Sequence, residues 1–160
     1  MMALLLSTFA STLTFIQQSC ADLSEQEMIQ QPPGVPNHAT WTLGHLIYSC
    51  QGMANELGGQ AWLPDDWESI FGYGSTPVSD GSRYPSKAKM LSLLSDAGDR
   101  LHQILSGVSE STLAQAAPGN TLPTMGHLVF QVVVAHTAFH AGQLAMWRHA
   151  IGKRSVAVFV

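Results

Sequence analysis

The sequence predicts an all-α fold, a four-helix bundle with a long loop between its second and third helices. Four apolar segments long enough for helices are separated by Pro/Gly punctuation. No stretch alternates with period two for long enough to require a sheet. The 160 residues are 46% hydrophobic and only 11% charged. That is enough apolar surface for one continuous core and too little charge for a disordered chain. Residues 1–160 are expected to form one domain of this type.

The first helix is expected over residues 2–21, where Leu5, Phe9, Leu13 and Ile16 recur at three or four. A short acidic piece, residues 22–30, ends at Gln31-Pro32-Pro33-Gly34-Val35-Pro36, which cannot remain helical. Asn37 is a suitable N-cap for the second helix, which runs to residue 57 before Gly58-Gly59 stops it. Residues 58–85 form the longest irregular stretch and hold Trp62, Trp67, Phe71, Tyr73 and Tyr84. A loop of that length in a compact chain usually covers a site or a partner surface. Ser86 opens the third helix, expected to residue 105, and residues 106–123 read as loop with a short turn near 111–116. Thr124 caps the fourth helix, which extends to about residue 151 with Gly152 in the stop position. Val132-Val133-Val134 is β-prone but has helical spacing on both sides. Thr42-x-Gly-His45-Leu and Thr124-x-Gly-His127-Leu echo one another near the starts of the second and fourth helices.

The net charge of −4 leaves no basic footprint for nucleic acid. Residues 1–82 hold eight of the eleven acids and no lysine or arginine, whereas residues 83–160 hold all seven basic residues. Such asymmetry suits two packed halves or two subunits, and a homodimer is expected. Cys20 and Cys50 have neither a disulfide framework nor metal spacing and read as buried thiols of a cytoplasmic protein. The apolar start lacks a positive n-region, and with five Ser/Thr in sixteen residues it suits a core helix better than a signal peptide. No membrane span is expected there.

The candidate chemistry lies in the histidines. His136 and His140 are four residues apart on an expected helix, so both imidazoles project from one face on successive turns. The same face carries Val129, Val132 or Val133, Gln143 and Trp147, which turns the pair toward the core. Two buried histidines can be satisfied core residues, but each then needs hydrogen-bond partners, and a shared metal answers that need equally well. His127 and His149 each lie nine residues from one of the pair, half a turn round the helix, and face away. His38 and His102 read as structural. His45 shares a face with Trp41, Tyr48 and Gly52 and can also point inward, beside Gly44, which admits a close neighbour.

Leu43-Gly44-His45-Leu46 together with His136-x-x-x-His140-x-Gly142-Gln143 resembles the DinB-like metal-binding bundles. The Gln31-Pro32-Pro33-Gly34 break, the Trp67…Phe71-Gly72-Tyr73-Gly74-Ser75 loop and Tyr84-Pro85-Ser86 extend the resemblance over nearly the whole chain. It implies a four-helix bundle, commonly a homodimer, with one divalent metal ion, nickel or zinc, on His45, His136 and His140. One departure is Ala141, where such proteins often carry arginine.

Three imidazoles leave a tetrahedral ion one open position, the pattern of a catalytic rather than a structural site. Thr137 stands where a zincin has its glutamate, so that mechanism is excluded. Glu56 shares the His45 face but lies eleven residues away, about 16 Å along a helix. Tyr48, Ser49, Tyr73, Tyr84 and Gln143 are the nearer polar candidates, and Arg83, Lys87 and Lys89 the nearest cations for an acidic thiol. Two functions follow. One is a metal-dependent enzyme on a small molecule, foremost a thiol-dependent S-transferase using a low-molecular-weight thiol. The other is a non-catalytic, stress-associated metal-binding module in which the dimer surface matters more.

Overall fold

The structure, a computed structural model, describes residues 2–119, 122–154 and 156, and these contain no strand. Helix α1 (Met2–Ala21) is followed by the short α2 (Glu25–Met28), α3 (Ala39–Glu56), the short α4 (Trp67–Phe71) and α5 (Lys87–Ser106). After the short α6 (Glu110–Leu113) come α7 (Met125–Phe130), a π turn (Gln131–His136) and α8 (Thr137–Ala150). The last three form one continuous helix, Met125–Ala150. The long helices touch around a ring, α1 on α5, α5 on α3, α3 on α8 and α8 back on α1. The fold is all-α, as the periodicity requires.

Ser86 and Thr124 cap α5 and α7 as expected, their hydroxyls accepting the Lys89 and His127 N–H groups. The α3 cap is His38 rather than Asn37. Fully buried, His38 accepts the Trp41 N–H on Nδ1 at 3.1 Å and donates from Nε2 to the Val78 carbonyl at 3.2 Å. An imidazole has two nitrogens to offer, so one side chain closes the helix and ties down the returning loop. Gly58, at φ 81°, ends the turn after α3 in the left-handed region.

Phe9, Ile16, Leu43, Ile47, Leu94, Leu101, Val133 and Trp147 belong to one apolar core. The 58–85 segment is more ordered than a bare loop: α4 and a 3-10 turn (Gly81–Arg83) lie in it, and Trp67, Phe71 and Tyr84 are buried. Burial of a side chain such as Phe71 contributes roughly 2–3 kcal/mol and fixes α4 against α3.

Val132-Val133-Val134 falls in the π turn. Widening the helix frees carbonyls from the usual ladder, and the Thr137 hydroxyl donates to one of them, Val132 O, at 2.9 Å. The extra residue shifts the register. Val129, Val133 and Thr137 take the buried positions, while His136 and Val132 turn to a pocket beside α3. Of the two valines that the spacing leaves open for the buried stripe, Val133 is the buried one.

Helix Met125–Ala150 is long and apolar enough to cross a membrane by length and composition. It nevertheless buries Thr137, His140 and Arg148 against its neighbours, as a core helix does. Arg148, 2% exposed, forks onto Asp22 at 2.7 and 3.1 Å and also donates to the carbonyls of Ser19 and Arg154. It thus satisfies the C-terminal end of α1 with one planar group. Lys87 Nζ does the same at Ala21 O and Leu23 O.

Arg148→Met should cost about 2–3 kcal/mol, because two carbonyls lose their donor inside the fold. Asp22→Asn should cost under about 1 kcal/mol, since that carboxylate is half exposed. The Arg148 hydrogen bond holds the Asp22 carboxyl below its usual range, so its contribution is complete above about pH 4 and falls away as pH drops through the folded-state value. Urea unfolding of wild type and both variants between neutral pH and pH 3 checks this, Asp22→Asn showing the smaller loss on the acid side.

Candidate metal centre

His45 is 7% exposed, its ring held by a carbonyl and by an indole. Its Nδ1 lies 2.7 Å from Phe71 O, and a carbonyl only accepts, so Nδ1 carries the proton and Nε2 presents its lone pair. Gly44 makes that contact geometrically available: a Cβ there would stand 2.1 Å from Phe71 Cδ1. The Gly44 carbonyl accepts Trp67 Nε1–H at 3.1 Å, locking α4 in the same place. Trp41 stacks on the His45 ring at 4.8 Å and 9°, and its indole N–H donates to Ser75 Oγ at 2.9 Å. Ser75 in turn donates to Ile70 O at 3.0 Å. Supports of this kind fix ring orientation and tautomer.

The C-terminal helix brings the other two rings. His136 Nε2 lies 3.1 Å from His45 Nε2 and 3.0 Å from His140 Nε2, and the three residues offer ligand atoms all within 4.8 Å of one another. Metal–nitrogen bonds of about 2.0–2.1 Å in tetrahedral array place neighbouring nitrogens about 3.3–3.4 Å apart. The two spacings that run through His136 are close to that edge. Burial, joined by neighbouring histidines, pushes the pKa down to about 3 for His140 and about 4 for His136, and burial also lowers that of His45. All three rings are thus neutral at physiological pH, the ligating form.

The surrounding polar atoms show why such a cluster is poorly satisfied by itself. His45 Nε2 has no proton to give, so a His136 Nε2–H must serve two acceptors or leave one bare. His136 Nδ1, His140 Nδ1 and Gln143 Oε1 are buried without hydrogen-bond partners. The Gln143 amide lies near enough to His140 to counter slightly the fall of its pKa, without completing a hydrogen bond. Three convergent neutral nitrogens of borderline softness fit a divalent ion such as zinc or nickel.

Beside the cluster a pocket of about 550 Å³ runs between α3 and the α7–π segment. His45, His136 and Glu56 line it together with Met53, Leu128 and Val132, and eleven residues of α3, about 16 Å of helix, separate His45 from Glu56. Tyr48, Ser49 and Tyr73 reach this pocket. Tyr84 does not: it is buried edge-on against His38, and its hydroxyl accepts the Val78 N–H at 2.9 Å. Trp67 and Phe71 lie behind His45 as supports, and Trp62 stacks under Arg100. Arg83, Lys87 and Lys89 are outside the pocket lining. His38, His102, His127 and His149 lie outside the cluster. Sequence spacing could not reveal the Phe71 carbonyl, the Trp41 stack or the π turn, although Gly44 beside His45 signalled a close neighbour.

The family model of the DinB superfamily matches residues 10–144. No curated protein matches the chain.

Gly44→Ala should destabilise the fold by about 1–3 kcal/mol through overpacking against Phe71. It should also release the His45 Nδ1–H from its carbonyl. Urea denaturation gives the first quantity. Long-range proton–nitrogen spectra of the imidazoles give the second, as loss of the single protonated-Nδ1 pattern of His45.

Proposed function

We propose that this chain, which belongs to the DinB superfamily, holds one divalent metal ion, nickel or zinc, on His45, His136 and His140 and uses it on a small molecule in the adjoining pocket. The observation that carries this reading is the convergence of three neutral imidazoles, two of which (His45 and His136) line a 550 Å³ pocket. A divalent ion there supplies Lewis acidity, lowering the pKa of a thiol or water and relieving the chain of the need for a strong base. The protein's share is positional. His45 is aimed by Phe71 O and Trp41, His136 is set by the π turn, and Tyr48 and Ser49 border the approach.

Thiol transfer to a small electrophile is the leading reaction within this proposal, ahead of hydrolysis. Glu56, the pocket's carboxylate, lies at the end away from the imidazoles, which leaves water without a nearby base. A thiol asks less, because coordination to an ion held by His45, His136 and His140 would lower its pKa enough for solvent to take the proton. Cys20 and Cys50 are buried free thiols whose pKa burial raises to about 12, which suits the cytoplasm proposed for the protein.

A second reading, a non-catalytic dimeric metal-binding module, draws on exposed apolar side chains of the C-terminal helix. Phe130, Phe139 and Met146 are 50%, 60% and 69% exposed there. Homodimer formation belongs to both readings, and light scattering should give about twice the 17.2 kDa chain mass. A monomer at micromolar concentration removes it.

Elemental analysis after zinc or nickel loading should find one ion per chain. His140→Ala should lose it, whereas His149→Ala should keep it. Equal metal content in the two variants would remove the ligand assignment.

A further inference from the structure

The pocket beside the three imidazoles has an uneven charge distribution that bears on what can enter it. Among the described lining residues, Glu56 is the one side chain with a full charge, and no lysine or arginine reaches the cavity. The cations that could have welcomed an acidic ligand are elsewhere. Lys87 is spent on the carbonyls of Ala21 and Leu23, and Arg100 lies over Trp62. A second carboxylate, Glu68, stands against the Tyr48 phenol and adds to the negative field.

Glu56 is also in an unfavourable place for an anion. It is the last residue of α3, where the helix dipole presents partial negative charge, and the last turn contains no basic residue. No salt bridge of Glu56 occurs among the described residues. An exposed carboxylate at the end of an apolar groove, opposed by its own helix and without a cation, has its electrostatic demand open to a ligand. The other end of the groove is set by His45, eleven residues earlier, about 16 Å along the helix. Between them Met53, Leu128 and Val132 present apolar surface, and the Tyr73 ring stands at the rim.

We infer that the pocket takes an elongated small molecule whose apolar body lies along Met53, Leu128 and Val132 and whose ammonium-type cationic end pairs with Glu56, its opposite end lying at the imidazoles. This rests on the three-histidine reading for the reacting end alone. Charge selection at Glu56 is independent of any ion. Ligands bearing several carboxylates are disfavoured by the same geometry, so a thiol used here carries an amine or no charge at that end.

Octylamine, octanol and octanoate share one apolar body and differ in charge at neutral pH. Their titration into the metal-free and the zinc-loaded protein, followed by the backbone amide shift of Gly52, reads the pocket directly. Octylamine should bind roughly tenfold more tightly than octanoate, with octanol between, as a favourable pair replaces a repulsive one at a partly exposed carboxylate. Glu56→Gln should bring the three within about twofold, and Glu56→Lys should reverse the order. Equal or tighter binding of octanoate by the metal-free wild type, a preference there that survives Glu56→Gln, or no binding of any of the three overturns the inference. A Glu56-dependent preference in a protein that fails to bind zinc leaves this inference standing and removes the metal reading. Zinc binding without charge preference does the reverse.

Discussion

Three neutral imidazoles from two helices can meet at one point only if those helices are held in fixed register, and much of the surrounding structure serves that requirement. On α3 the register is set by the His38 cap below His45 and by the Phe71 carbonyl and Trp41 ring around it. On the C-terminal helix it is set by the π turn, with Thr137 satisfying the opened carbonyl of Val132 immediately after His136. Arg148 ties the far end of that helix to the end of α1. Most of the supporting groups (His38, Trp41, Phe71, Thr137 and Arg148) lie outside the pocket lining, yet each limits how far the imidazoles can drift apart.

The cluster is costly in the absence of a ligand. Burial favours the neutral rings, and neutral rings facing one another cannot all be hydrogen-bonded. Buried nitrogens of His136 and His140 and the carbonyl oxygen of Gln143 remain unpartnered. A fold that needed only a core would be better served by apolar residues at these positions. Retention of three polar groups around one point is the physical argument for an ion, and the neighbouring cavity is the argument that the ion has work to do.

Much of this was legible in the sequence. The 3–4 periodicity and the Pro/Gly breaks located the four long helices, and Ser86, Thr124 and Gly152 marked their ends because capping is local chemistry. The His136–His140 spacing predicted a shared face for the same reason. The illegible features are non-local or depend on a departure from regular geometry. The length of the 58–85 segment points to cover for a site or partner surface, but Trp67 and Phe71 support His45 from behind, a role fixed by the fit of Phe71 against Gly44. The triple valine concealed a π turn, because its spacing satisfies an α-helix equally well. Glu56 was read as too remote from His45 to act as a base, and the pocket turns that remoteness into its distal end.

X-ray absorption at the zinc edge of the loaded protein tests the central claim most directly, because it reports the ligands themselves. The account predicts a shell of light ligands at about 2.0–2.1 Å with the multiple-scattering signature of three imidazoles per zinc, reduced to two or lost in His45→Ala. A shell of oxygen ligands without imidazole scattering, or one unchanged by His45→Ala, would contradict it.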